Sequence, residues 1–197
     1  MKQIKAIETI YKGYKFRSRL EARWAVFFDA MGWQWEYEPE GFDLGEAGLY
    51  LPDFKVYGTD SNGDYNIFYF EVKQEDKDLT ESEKKKIFAF GKMCVDHSIT
   101  RGYGDFILLD GVPSEKLYLS AGAMVYPKDW PFEPFWWGMD IVYRDGRPTF
   151  EWLGTYGECD RKHEYTEMKR FSGNFGYVGK SPIEKARSAR FEHGEQP

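Results

Sequence analysis

Asn66-Ile67-Phe68-Tyr69-Phe70-Glu71-Val72-Lys73 is apolar on both of its alternating sets, with Ile67 and Tyr69 on one side and Phe68, Phe70 and Val72 on the other. A half-exposed strand alternates apolar with polar, so a strand apolar throughout is a central one covered by layers on both sides. The last residues depart from that rule on one face only. Strand side chains alternate, so Glu71 and Lys73 project together, opposite to Val72.

The segments on either side of this strand complete the pattern. Tyr50–Tyr57 reads as a strand carrying Pro52-Asp53, joined to the central one by the turn-rich Gly58-Thr59-Asp60-Ser61-Asn62-Gly63-Asp64. Trp33–Glu38 alternates aromatic and polar residues and is a further strand, punctuated by Pro39 and Gly41. Before it, Ser18 and Glu21 form an S-x-x-E start signal and Gly32 a stop, which predicts a helix over Ser18–Met31. Leu20, Trp24, Phe27, Phe28 and Met31 form its apolar face, with Glu21 flanking it. A second helix is predicted over Thr80–Val95, with Leu79, Ile87, Phe90 and Met93 among its apolar positions. A strand follows over Asp105–Leu109, ended by Asp110-Gly111. Helix, three strands, helix, strand is the order of an α/β protein with a mixed central sheet flanked by helices.

From about Ser114 the composition turns to tryptophan and proline. Asp145-Gly146, between Val142-Tyr143 and Thr149–Leu153, predicts a hairpin. Residues 114–160 are expected to be an appended β-hairpin region of a single 197-residue domain, followed by a helix over Ser181–Phe191. The aromatics Trp130, Phe132, Phe135, Trp136, Trp137 and Trp152 either stack on bases or fill a small core.

The chain is 42% hydrophobic and 19% aromatic, enough to bury a core, which excludes disorder throughout. Two cysteines are too few for a disulfide scaffold. Apolar stretches such as Trp24-Ala25-Val26-Phe27-Phe28 fall far short of a membrane span. The start, Met1-Lys2-Gln3-Ile4-Lys5, leads into no secretion signal. The expectation is a soluble cytoplasmic protein with no membrane partner. The formal charge is −6, but Met1–Arg23 carries +5, leaving −11 on the rest. A second basic cluster, Lys180, Lys185, Arg187 and Arg190, lies near the C-terminus. An acidic metal site beside a basic phosphate-contacting edge would divide charge in this way, and so would two solvated helix faces.

The chemistry is concentrated in Asp53, Glu71 and Lys73. If the two strands pair, Asp53 approaches Glu71, and two carboxylates there repel unless a cation joins them. Hard oxygen ligands suit Mg²⁺ or Mn²⁺. Lys73 would then steady an attacking water or the charge developing on a phosphate. The competing reading is a cross-strand ion-pair ladder on a solvated face. Arg17, Arg19 and Arg23 either contact phosphates or are ordinary helix-surface charge. Lys84, Lys85 and Lys86 lie among Asp78, Glu81 and Glu83 and read as a solvated helix face. Cys94, His97, Cys159 and His163 have a spacing that admits zinc, but without a paired cysteine in either half the zinc reading is the weaker one. No P-loop, dinucleotide fingerprint or Ser-His-Asp arrangement is visible.

Pro52-Asp53 through Glu71-Val72-Lys73 resembles the signature of the PD-(D/E)XK nuclease superfamily, and residues 15–112 follow the element order of its restriction-endonuclease-like αβββαβ core. Phe16-Arg17-Ser18-Arg19-Leu20-Glu21-Ala22-Arg23-Trp24, Tyr37-Glu38-Pro39 and the ending Ala186-Arg187-Ser188-Ala189-Arg190-Phe191-Glu192-His193-Gly194-Glu195 are similar to small phage and bacterial members. The resemblance implies a DNA endonuclease or exonuclease, a hydrolase that uses a metal-activated water. Asp53, Glu71 and the Val72 carbonyl would ligate Mg²⁺ or Mn²⁺, and Lys73 would be the catalytic lysine. Glu21 would be a further acid at the metal, directly or through water, set against its capping role. Gln74 extends the motif toward the metal-bound water or a phosphate. DNA is the implied partner, in a bacterial or phage-infected cell, and a homodimer is admitted because many such proteins cut two strands as dimers. The alternative is a catalytically silent nuclease-fold module that binds nucleic acid or protein, as in phage–host conflict.

Overall fold

The computed structural model describes residues 7–60, 65–74, 79–101, 105–113, 118–123, 134–144, 147–156 and 180–191. The protein is mixed α/β, with helices on both faces of a mixed sheet.

Strands β1 (Thr9–Tyr11) and β2 (Tyr14–Phe16) form an antiparallel hairpin. Its two-residue turn, Lys12-Gly13, has positive φ at both positions (48° and 83°), the backbone twist that tight hairpins need. Helix α1 (Arg19–Ala30) follows, with Ser18 as its N-cap: the Ser18 hydroxyl accepts the Glu21 N–H at 3.2 Å. At its other end Gly32 has φ +73° and donates its N–H to the Asp29 carbonyl, while Trp33 N–H reaches the Phe28 carbonyl, both at 3.0 Å. This paired arrangement satisfies the last carbonyls, and the Trp33 ring packs back on Phe28 with centroids 6.1 Å apart.

After β3 (Gln34–Tyr37) come two short strands, β4 (Phe42–Asp43) and β5 (Leu49–Tyr50), paired with each other around a 3₁₀ turn at Gly45–Ala47. The main strands are β6 (Phe54–Asp60) and β7 (Tyr65–Lys73), then helix α2 (Glu81–Arg101) and β8 (Asp105–Asp110). Strands β9 (Tyr118–Ala123), β10 (Pro134–Arg144) and β11 (Arg147–Tyr156) continue the same sheet, and α3 (Lys180–Ser188) ends the described chain.

The sheet order is β11-β10-β9-β8-β7-β6-β3. Strand β7 runs antiparallel to β6 and parallel to β8, with α2 making the crossover. Thr149 and Phe150 of β11 also pair in parallel with Thr59 and Asp60 at the end of β6, so the sheet curls round to meet itself.

Two cores lie on opposite faces. On one, α1 and α3 cover Phe54, Val56, Phe68, Phe70, Ile107 and Leu109 with Trp24, Phe28, Ile183, Ala186 and Ala189. On the other, Tyr69, Phe106 and Leu108 meet Ile87, Phe90 and Cys94 of α2, together with Tyr50. Strand β7 is therefore covered on both faces, as its composition predicts.

The sequence expectations need four corrections. The strand expected over Tyr50–Tyr57 is divided, because Pro52 has no N–H for a ladder and the chain bends at Asp53 before β6 begins. Helix α2 runs on to Arg101, beyond Val95. Strands β10 and β11 pair antiparallel up to Arg144 and Arg147, on either side of the expected turn, and they continue the central sheet through β9. Strands β1, β2, β4 and β9 were not anticipated. Trp130 and Phe132 lie outside the described residues.

Candidate active site

The break in the strand at Pro52 and the bend that follows leave Asp53 just ahead of β6. The antiparallel register that sets Phe54 opposite Phe70 places it beside Glu71 and Val72. The Asp53 side chain is only 4% exposed, and a carboxylate that dry requires partners. Its Oδ2 accepts the Val72 N–H at 2.7 Å, and its Oδ1 accepts from the Arg17 guanidinium.

Glu71 Oε2 accepts the Tyr50 hydroxyl at 2.8 Å, and its Oε1 pairs with Lys73 Nζ at 2.9 Å. The same ammonium reaches Glu83 Oε1 on α2 at 3.1 Å. Arg17 Nε also pairs with Glu38 Oε1 at 2.9 Å, while the Glu38 N–H donates to the Asp53 carbonyl at 2.8 Å. Glu38 makes both contacts from a left-handed backbone, φ +45°, which a residue with a β-carbon adopts at a cost.

Glu21 is buried, and both its oxygens are engaged. Oε1 accepts from the Ser18 hydroxyl at 2.8 Å, and Oε2 from the Tyr37 hydroxyl at 2.6 Å and the Arg17 N–H at 3.1 Å. Ser18 and Arg17 hold Glu21 from the helix N-terminus, and Tyr37 holds it from β3. Arg19 and Arg23 stand one turn apart on α1 and are half-buried, and Arg23 Nε is buried without a hydrogen-bond partner among the described residues. Gln74 is exposed just past β7. Cys94 is buried against α2's apolar partners. The His97 side chain, Cys159 and His163 lie outside the described residues.

The electrostatics follow from burial and crowding. Burial pushes the Asp53 carboxyl well above the ordinary carboxylate range, and neighbouring Glu71 pushes the same way. The Val72 N–H opposes that rise, Glu21 adds to it and Arg17 opposes it. Burial alone would lower Lys73, but Glu71 and Glu83 outweigh it and hold the ammonium above its usual value. Burial and then Glu71 push Tyr50 up, so its phenol stays a donor. Burial and the hydrogen bond to Glu21 do the same for Tyr37.

The donors suit a hard divalent cation in part. Asp53 and Glu71 are two adjacent carboxylates whose oxygens each spend one lone pair on the donors named above and keep another. Among the described residues, however, no three His, Cys, Asp or Glu side chains converge as a ready-made metal group. Arg17 and Lys73 supply the positive charge the pair needs.

Asp53, Glu71, Lys73, Glu21 and Arg17 thus come together, with Val72 joining through its N–H. The sequence reading gives no site role to Tyr50 and Glu83, and it singles out Tyr37 and Glu38 only as part of the resemblance. The first turns of α2 are a solvated face, as the lysines there predict, with Glu81, Lys84 and Lys85 exposed. Lys84 does pair with Glu81, at 3.0 Å, but Lys85 and Lys86 donate to the Glu46 and Leu49 carbonyls at 3.1 and 3.0 Å. They tie down the loop that carries Tyr50. The signal is Pro52, which ends the ladder and leaves Leu49–Tyr50 in need of separate support. No helix among the described residues is long and apolar enough to cross a membrane. No protein-family model, curated protein or solved structure matches the chain.

Proposed function

We propose that this protein is a metal-dependent nuclease of the PD-(D/E)XK type, hydrolysing DNA phosphodiester bonds. The observation that carries this reading is the nearly dry Asp53 carboxylate beside Glu71, with the Lys73 ammonium paired to Glu71 at the end of the central strands. An ion-pair ladder on a solvated face would leave Asp53 wet, and it is not. The element order α1, β3, β6, β7, α2, β8 adds support, since it is the αβββαβ order of that nuclease core.

Asp53 and Glu71 would hold Mg²⁺ or Mn²⁺, with the Val72 carbonyl and Glu21 as further candidates. Bound there, the ion supplies Lewis acidity and neutralises charge developing on the phosphate. Lys73 presents a fixed ammonium to the same phosphate and stabilises the transition state electrostatically. Arg17, Arg19, Arg23 and Gln74 take flanking phosphates, which sets register but reads no sequence.

The test is incubation of supercoiled plasmid and end-labelled single- and double-stranded oligonucleotides with Mg²⁺ or Mn²⁺, against EDTA. Cleavage that needs the metal and vanishes in Lys73→Ala is the expected result, together with a rise in wild-type Tm on adding the metal that Asp53→Asn loses. Saturation at 100 times Kd corresponds to about 2.7 kcal/mol. A folded protein that cleaves nothing and gains no stability from either ion overturns the reading.

A second reading has its own observation: Arg17 already neutralises Asp53 from within the chain. That suits a nuclease-fold module that binds nucleic acid or protein without turnover. Metal-independent DNA binding, unchanged by Lys73→Ala, is its expected signature.

A further inference from the structure

We infer that Glu83 is the positioning residue for Lys73, an inference that rests on the nuclease reading for its catalytic meaning but not for its geometry. Glu83 divides its carboxylate between two tasks. Oε2 accepts the Thr80 N–H at 2.9 Å and the Thr80 hydroxyl at 2.8 Å, while the Glu83 N–H returns to Thr80 Oγ1 at 3.2 Å. This reciprocal cap fixes the carboxylate at the start of α2. Oε1 is left to point at Lys73 Nζ, 3.1 Å away. The lysine stem rises from β7 and its head is held from two sides, by Glu71 on its own strand and by Glu83 on the helix.

A long flexible side chain has several rotamers, and one carboxylate leaves it free to pivot. Two carboxylates on different elements define one position. The support is itself anchored, because Leu79, Ile87 and Phe90 bury α2 against the sheet, and Lys85 and Lys86 bind the loop bearing Tyr50, the second partner of Glu71. The first turns of α2 therefore organise both groups that flank Glu71.

The cap and the positioning role separate by mutation. Glu83→Gln keeps an amide oxygen for the Thr80 N–H but cannot pair with an ammonium. Thr80→Ala weakens the cap but leaves the Glu83 carboxylate in place. The expected result is that Glu83→Gln keeps its Tm near that of wild type yet loses about 10- to 100-fold in kcat with little change in KM, the cost of a displaced catalytic group. Thr80→Ala lowers Tm and keeps kcat within about twofold at temperatures where it is folded.

The second readout needs no activity. In a nitrogen-labelled sample the Lys73 ammonium N–H signal is visible when hydrogen bonds slow its exchange with water. It should persist in wild type and Thr80→Ala and vanish in Glu83→Gln. Wild-type kcat in Glu83→Gln, or an unchanged Lys73 signal, overturns the inference. If wild type cleaves no substrate, the nuclease reading fails, and the Lys73 signal alone decides whether Glu83 holds the lysine.

Discussion

The two faces of β7 are built from the same alternating strand and come to opposite ends. On the α1 face Phe68, Phe70 and Val72 continue an unbroken aromatic core into Phe28 and Phe54, with ring centroids 5.2–5.3 Å apart. On the α2 face Tyr69 begins in the same manner, and two residues later the apolar layer stops at Glu71 and Lys73. Apolar packing makes the first face rigid without direction. On the second, rigidity comes from directional contacts, namely Tyr50, Glu83 and the lysines behind them. A site at the end of a packed layer borrows its stiffness from the core and its chemistry from the interruption.

That contrast can be broken by measurement. Phe70→Ala should be the most damaging change, costing about 3–5 kcal/mol in denaturant unfolding, because Phe70 is fully buried and leaves a cavity. Glu71→Gln, one residue along and on the other face, should cost far less. Equal costs would mean that the α2 face is as much core as the α1 face.

The second effect is one of pH. In the metal-free protein the folded state holds the Asp53 proton more tightly than the unfolded chain, whose carboxyl has a value of 3.8. Stability from this group is therefore complete below about that pH and is lost as pH rises through the raised folded value. Compared with Asp53→Asn, which cannot titrate, wild type should lose ground steadily from acid to neutral pH. Parallel curves for the two proteins would place Asp53 in an ordinary, well-compensated setting.

The smallest effect probes the α1 side. A β-carbon added at Gly32 meets nothing within 4 Å, so Gly32→Ala reports the left-handed backbone alone, at φ +73°. The expected loss is about 1–2 kcal/mol, read by the same unfolding titration, with the Lys73 ammonium signal unaltered. A change in that signal would show that the two faces are coupled through β7.

The α1 face was largely legible in the sequence. Ser18, Glu21 and Gly32 mark the helix ends through local chemistry, and the apolar run in β7 announces its burial. On the α2 face Asp53, Glu71 and Lys73 were legible, but their partners were not. Tyr50 finds Glu71 across 21 positions and Arg17 finds Asp53 across 36, contacts that only the folded chain defines. Glu83 was read as surface charge because helical periodicity places it among lysines, and nothing local says that its second oxygen turns to the sheet. The meeting of β11 with β6 has no sequence mark, since a two-residue parallel pairing between distant segments leaves no periodicity.

Helix α3 lies against α1, with Ile183, Ala186 and Ala189 closing the core that Trp24 and Phe28 begin. Helix α1 ends at Ala30 and α3 begins at Lys180, so a chain emerging from the ribosome makes α1 long before the segment that covers it. Until Lys180–Ser188 has been synthesised, a strongly aromatic helix face stays open to other hydrophobic chains. The docking of α3 thus closes a surface that would otherwise be open to misassociation.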